Sequence, residues 1–206
     1  MLEETGLDYN LFVIDITSGE QDLATFREIN PNGRIPAIVD LDGPEGLPLK
    51  LFESGAILLY LAEKTRLFLP KDLARTWCSI KWLSWQISNL GPSFGQAFHF
   101  LHQLPLGLKT EDIDYGQHLY VDQVRRLFAI MNDHLKETTF FAGENYTIAD
   151  ISIFPWIALH GWIGVPLSNT PNLQRWYENV RQRPAVRKGM DVPSRKQIER
   201  SGDGGQ

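Results

Sequence analysis

The chain holds a single cysteine, Cys78, among 206 residues. A lone thiol excludes an intrachain disulfide framework, a Cys-x-x-Cys redox pair and a cysteine-rich zinc site, and a reducing, cytoplasmic setting is the expectation. Basic charge is also short: 20 Lys plus Arg stand against 25 Asp plus Glu, a net charge of -5. The positive surface that a phosphate backbone demands is missing, so nucleic acid is not an expected partner. No apolar run approaches the roughly 20 residues that span a bilayer. The opening Met1-Leu2-Glu3-Glu4 is acidic where a secretion signal is basic and then apolar, and no membrane partner is expected. His99 and His102 have ligand-like spacing without an accompanying carboxylate or cysteine cluster, so no metal is assigned.

What remains is an ordinary globular composition, 43% hydrophobic and 22% charged, enough for one generous domain or two small ones. The texture changes near Pro70. Before it, Tyr9 to Asp15 is rich in aromatic and β-branched residues and reads as a strand, followed by the polar Thr17-Ser18-Gly19. Leu23, Phe26 and Ile29 predict one face of a short helix, stopped by Asn30-Pro31-Asn32-Gly33. Ile35 to Leu41 and Leu47 to Phe52 predict two strands of a hairpin across Asp42-Gly43-Pro44-Glu45-Gly46. From Ser54, the positions Ile57, Leu58, Tyr60 and Leu61 predict an amphipathic helix.

Beyond Lys71 helical periods take over. Trp77, Ile80, Leu83, Ile87 and Leu90 define one face until Gly91-Pro92, which should kink or end that helix. Tyr120, Val124, Leu127, Met131 and Leu135 define a second long face. Thr147-Ile-Ala-Asp150 opens a third helix as a capping box, and Asn172 to Arg183 forms a fourth, stopped by Pro184. Trp176 and Tyr177 read as core, and Cys78 as a buried, inert thiol. The expected organisation is a mixed α/β domain over 1–66, an all-helical domain over 72–190 and a polar, disordered tail over 191–206. Leu2 to Leu7 reads as the last turn of a helix ended by Gly6, with a strand directly after it. A mixed domain that opens on such a fragment implies that a strand and most of a helix precede Met1.

Four motifs carry a family resemblance: Asn30-Pro-Asn-Gly-Arg-Ile-Pro-Ala-Ile38, Phe52-Glu-Ser-Gly-Ala-Ile57, Gly91-Pro-Ser-Phe-Gly-Gln-Ala-Phe-His-Phe100 and Thr147-Ile-Ala-Asp150. With the order of elements, they resemble a cytosolic glutathione transferase. The third is similar to the Nu-class branch related to the yeast nitrogen-regulator prion protein, which includes glutathione-dependent disulfide reductases. The resemblance implies an α+β two-domain fold: a thioredoxin-like domain, here truncated, followed by an all-α domain.

It also implies a site for glutathione as substrate. Ile35 and Pro36 would supply a docking edge, the proline being cis in the family and baring the main chain of Ile35; an ordinary strand start would use Pro36 as well. Glu53 and Ser54 lie where a strand gives way to a helix, whose free N–H groups would take the γ-glutamyl carboxylate while Glu53 holds the amine; a plain helix cap is the rival. Gln21 and Arg34 flank the site and would reach the glycyl end, roles that a helix-start residue and a surface charge match equally. Phe94, His99, Phe100 and, from the next helix, Tyr120 would wall a pocket for a second substrate, with core burial as the alternative. Leu119 stands where related reductases would carry an Arg. The residue that supports the glutathione thiol would precede Met1, so no catalytic residue is assigned. The expected function is a glutathione-dependent transferase or disulfide-bond reductase acting on an electrophile or a disulfide. Its alternative is a non-catalytic binding or regulatory protein of the same fold. A homodimer is implied, packed through the helix after Ser54 and the partner's first long helix.

Overall fold

A computed structural model describes residues 1–103 and 110–194. Of the tail expected over 191–206, residues 195–206 lie outside the described residues. The chain forms two compact units, Met1–Arg66 with the segment from Pro184 onward, and Leu67–Arg183.

In the first unit, α1 (Leu2–Thr5) closes on Gly6, whose φ of 68° is the left-handed conformation glycine adopts without penalty. The hairpin forms as expected. β1 (Ala37–Asp40) runs antiparallel to β2 (Leu49–Phe52), with Ala37 opposite Phe52 and Asp40 opposite Leu49. The segment Tyr9 to Asp15 is not a strand. A strand needs a hydrogen-bonding neighbour, and among the described residues the only sheet is the pair β1–β2. Phe12 is accordingly 81% exposed. The predicted helix from Gln21 shortens to a 3-10 turn and α2 (Ala24–Arg27), which buries Phe26 but leaves Leu23 exposed.

α3 (Ser54–Thr65) follows β2 directly and buries Ile57, Leu58, Leu61 and Ala62. Asp40 ties β1 to it, accepting from the Tyr60 hydroxyl and the Lys64 ammonium, each at 2.6 Å. Burial pushes the Asp40 carboxyl up, but the Lys64 and Tyr60 bonds outweigh it and hold the value below the ordinary one. The last helix of this unit, α9 (Pro184–Met190), packs on α1, where Lys188 pairs with Glu3 at 2.7 Å. Pro184 therefore opens a helix, at the first turn where its missing N–H costs nothing.

The second unit is helical, with one isolated bridge, Phe140 to Gly143, among its described residues. α4 (Leu73–Trp85) starts at Asp72, whose carboxylate caps the Arg75 N–H. It does not stop at Gly91-Pro92. Gln86–Leu90 forms a π-helical turn in which the Gly91 N–H reaches back to the Gln86 carbonyl, and α5 (Gly91–His102) continues from it. Pro92, in the first turn of α5, has no N–H to place. The buried side of this run is Ser79, Trp82, Leu83, Gln86 and Leu90, so Trp77 and Ile87 of the predicted face point to solvent.

α6 (Thr110–His134) buries Val124, Leu127 and Met131 as its period predicted, with Leu135 just beyond its end. α7 (Ile148–Ala158) is apolar on nearly every side, the pattern of a central helix, and packs against α4 and α8 (Pro171–Arg181). Its capping box is present, and the Asp150 carboxylate at its start is fully buried. That carboxylate accepts four bonds: from the Thr147 N–H at 2.9 Å, the Thr147 hydroxyl at 3.2 Å, the Phe141 N–H at 3.1 Å and the Trp176 indole N–H at 2.8 Å. Trp176 is core, Tyr177 half-buried and stacked on Phe154. Cys78 is half-buried, its thiol 3.7 Å from the Phe141 carbonyl. No described helix is long and apolar enough to cross a membrane.

Candidate functional site

The hairpin register does the assembly. Because Ala37 lies opposite Phe52, the residues just before β1 (Ile35, Pro36) and just after β2 (Glu53, Ser54) meet at one end of the ribbon. The Ile35–Pro36 peptide is cis, and Ile35 is exposed. Among the described residues no group is hydrogen-bonded to the Ile35 main chain.

Glu53 occupies the N-cap of α3 with φ 69° and ψ 113°, and its side chain makes no capping bond. A non-glycine residue there is strained by about 1–3 kcal/mol, and such strain clusters where the backbone is shaped for a ligand. The first intrahelical bond is donated by Ile57 to the Glu53 carbonyl at 3.0 Å, so the N–H groups of Ser54, Gly55 and Ala56 precede the helical ladder. With the exposed Ser54 hydroxyl they form an electropositive, donor-rich end. A carboxylate is the chemistry that suits it.

Gln21 and Arg34 are linked through Gly33. That glycine has φ 62°, and a side chain there would press on the Gln21 carbonyl and the Arg27 guanidinium. The Gln21 amide oxygen is buried and makes no hydrogen bond. The Arg34 side chain is exposed. Two further residues brace this loop and were not singled out from the sequence. Arg27 donates to the Pro31 carbonyl at 3.0 Å, and buried Asn30 bonds to both Asn32 and Arg34. The Asn-Pro dipeptide was the available signal, since Asn side chains bond their own backbone two residues on.

The second set lies in the helical unit. Phe100 stacks on Tyr120 at 5.6 Å, and His99 sits edge-on to Phe100 at 5.8 Å; all three are half-buried. Gly116 allows this approach of α5 to α6, since any side chain there would overlap the Phe100 ring. Phe94 is not with them. It is 2% exposed and packs edge-on against Trp156, on the α5 face shared with Gly91 and Ala97. Leu119 is exposed on α6. His102 is held by the Trp162 carbonyl at 2.6 Å. Among the described residues, no group of His, Cys, Asp or Glu is arranged to hold a metal ion.

Comparison with known proteins fits this architecture. The family model described as glutathione S-transferase, N-terminal domain, matches residues 1–63, and that for the C-terminal domain matches residues 114–184. The disulfide-bond oxidoreductase YfcG of Escherichia coli is 43% identical over 188 residues, 90% of this chain and 84% of that protein. The protein URE2 of Eremothecium gossypii is 31% identical, covering 92% of this chain and 62% of its own length. A glutathione transferase of Burkholderia graminis, solved with two glutathione molecules per subunit, superposes with a TM-score of 0.87 at 37% identity, covering 94% of this chain and 82% of that one. This chain belongs to the glutathione S-transferase family.

Proposed function

We propose that this chain binds glutathione and uses its thiolate as a nucleophile, as a transferase or disulfide-bond reductase. The observation that carries the reading is the meeting of Ile35, Pro36, Glu53 and Ser54 at one end of the hairpin. It joins a main-chain edge to a helix start, the two features that an extended peptide with a carboxylate requires. The Ile35 main chain pairs with the cysteinyl part, the start of α3 takes the γ-glutamyl carboxylate, and Glu53 takes the amine. Gln21 and Arg34 receive the glycyl end. His99, Phe100 and Tyr120 offer an aromatic surface to the second substrate, with Phe94 on the buried face of α5 as support. The name of YfcG and the glutathione bound to the Burkholderia relative favour disulfide exchange with glutathione as co-substrate. Thiolate attack on a disulfide sulfur forms a mixed disulfide and releases the other thiolate, which takes up a proton. A reducing cytoplasm supplies the thiol.

Titration with reduced glutathione, paired with turnover of a small disulfide, tests the proposal. Saturable binding with turnover is expected. Binding without turnover assigns the non-catalytic reading, and no binding overturns the site.

The assembly proposed is a homodimer in which α4 of one protomer meets α3 of its partner. On α4 and the π turn, Leu73, Trp77, Ile80, Ser84 and Ile87 recur at alternating spacings of four and three, and Leu73 and Trp77 are 70% and 61% exposed. Such a stripe is the seam along which helices associate. Trp77→Glu is expected to shift the sedimenting species from dimer to single chain without unfolding it. A wild-type single chain, or a dimer unmoved by the change, would remove this proposal.

A further inference from the structure

The loop before Ile35 is governed by one buried side chain. Asn30 is 2% exposed, and both ends of its amide are engaged. Its Oδ1 accepts the Asn32 N–H at 2.9 Å, and its Nδ2 donates to the Arg34 carbonyl at 2.6 Å. An N–H needs an acceptor and a carbonyl needs a donor, so these partners admit one orientation of the amide. The Asn30 backbone is fixed as well, donating to the Phe26 carbonyl at 2.9 Å and accepting from the Gly33 N–H at 3.0 Å.

The peptide joining Arg34 to Ile35 is trans. In a planar trans peptide the carbonyl and the N–H point in opposite directions. With the Arg34 carbonyl drawn onto the buried Asn30 amide, the Ile35 N–H is turned away from it, and no described residue accepts that N–H. Ile35 itself is 51% exposed. We infer that Asn30 is a positioning residue for glutathione: its hydrogen bond to the Arg34 carbonyl sets the peptide plane that presents the Ile35 N–H to a main-chain carbonyl of the ligand. The inference rests on the function proposed above. It adds a residue that touches no ligand atom and acts through one peptide plane.

Calorimetric titration of reduced glutathione into the full chain tests it, with Asn30→Asp, Asn30→Ala and a control in the helical unit, Asp150→Asn, each held at a temperature where circular dichroism shows it folded. Asn30→Asp keeps the acceptor for Asn32 but turns a carboxylate oxygen, in place of a donor, toward the Arg34 carbonyl. Both Asn30 variants are expected to weaken glutathione about tenfold or more, the scale of one lost hydrogen bond in a positioned site. In spectra of nitrogen-labelled protein the Ile35 amide should move downfield with glutathione in the wild type and lose that shift in the variants. Unchanged affinity in the Asn30 variants, or an equal loss in Asp150→Asn, overturns the inference while leaving the glutathione site standing. A wild-type chain that does not bind glutathione overturns the function itself. If neither Asn30 variant folds, the wild-type spectra decide: an Ile35 amide unmoved by saturating glutathione overturns the inference.

Discussion

Asp150→Ala is expected to cost the helical unit about 3–5 kcal/mol at neutral pH, a large part of the roughly 5–15 kcal/mol that holds a typical domain together. The substitution removes an acceptor from the Phe141 N–H, the Trp176 indole and both donors of Thr147 at once. The Thr147 hydroxyl can rotate to another partner. The three N–H groups are fixed by the backbone and by a buried ring, and each is left dry. The measurement is direct because all six tryptophans, Trp77, Trp82, Trp85, Trp156, Trp162 and Trp176, lie in Leu67–Arg183. Their fluorescence in urea reports this unit alone, and a midpoint within experimental error of wild type would refute the role given to the carboxylate.

The same variant has a pH signature. Burial raises the Asp150 pKa to about 6, against the pull of its four donors. A folded-state value above the unfolded one means that the native protein holds this proton to higher pH. The group's contribution is therefore fullest below the ordinary carboxylate value of 3.8 and declines as pH rises through about 6. Asp150→Ala should thus cost more at pH 5 than at pH 8.

The second large effect falls at the start of α3. Ser54→Ala is expected to weaken glutathione about 10- to 100-fold, because a hydrogen bond to a charged group contributes about 1.5–3 kcal/mol and each 1.4 kcal/mol is a factor of ten. Ser54 is exposed, so the fold should be indifferent to the loss. Glu53→Gly separates binding from stability by moving them in opposite directions. Glycine adopts φ 69° without the strain that glutamate bears, which should stabilise the first unit by up to ~1 kcal/mol after glycine's own entropy cost. The lost carboxylate should at the same time weaken glutathione at least tenfold, through the same loss of a charged partner. If both variants bound glutathione as the wild type does, the ligand would not sit on this helix end.

Much of this was legible in one dimension. The hairpin, the helix at Ser54 and the capping box follow from turn residues, periodicity and a four-residue spacing, all local signals. The motifs around Pro36 and Ser54 marked the candidate site, and the hairpin register explains why these two separate motifs meet at one end of the ribbon. What escaped was decided by partners in space. Tyr9 to Asp15 has the composition of a strand, yet composition cannot supply the neighbour that a strand needs. Trp77 shares a three- and four-residue spacing with Leu83 and Leu90, but the inward side of α4 carries Ser79, Trp82, Leu83 and then Gln86, whose amide meets the Ser152 hydroxyl of α7, and that side leaves Trp77 in solvent. Asp150 was visible as a cap, whereas its bonds to Phe141 and Trp176 join positions that no spacing rule connects. Asn30 looked like a turn residue, and its reach to Arg34 exists only once the loop closes.

The docking of α9 on α1 bears on how the protein is made. A ribosome releases α1, the hairpin and α3 early, but the helix whose Lys188 pairs with Glu3 emerges only after the entire helical unit has been synthesised. α1 therefore waits for this neighbour until Leu67–Arg183 has been made, while the helical unit, being continuous in sequence, can condense as it appears.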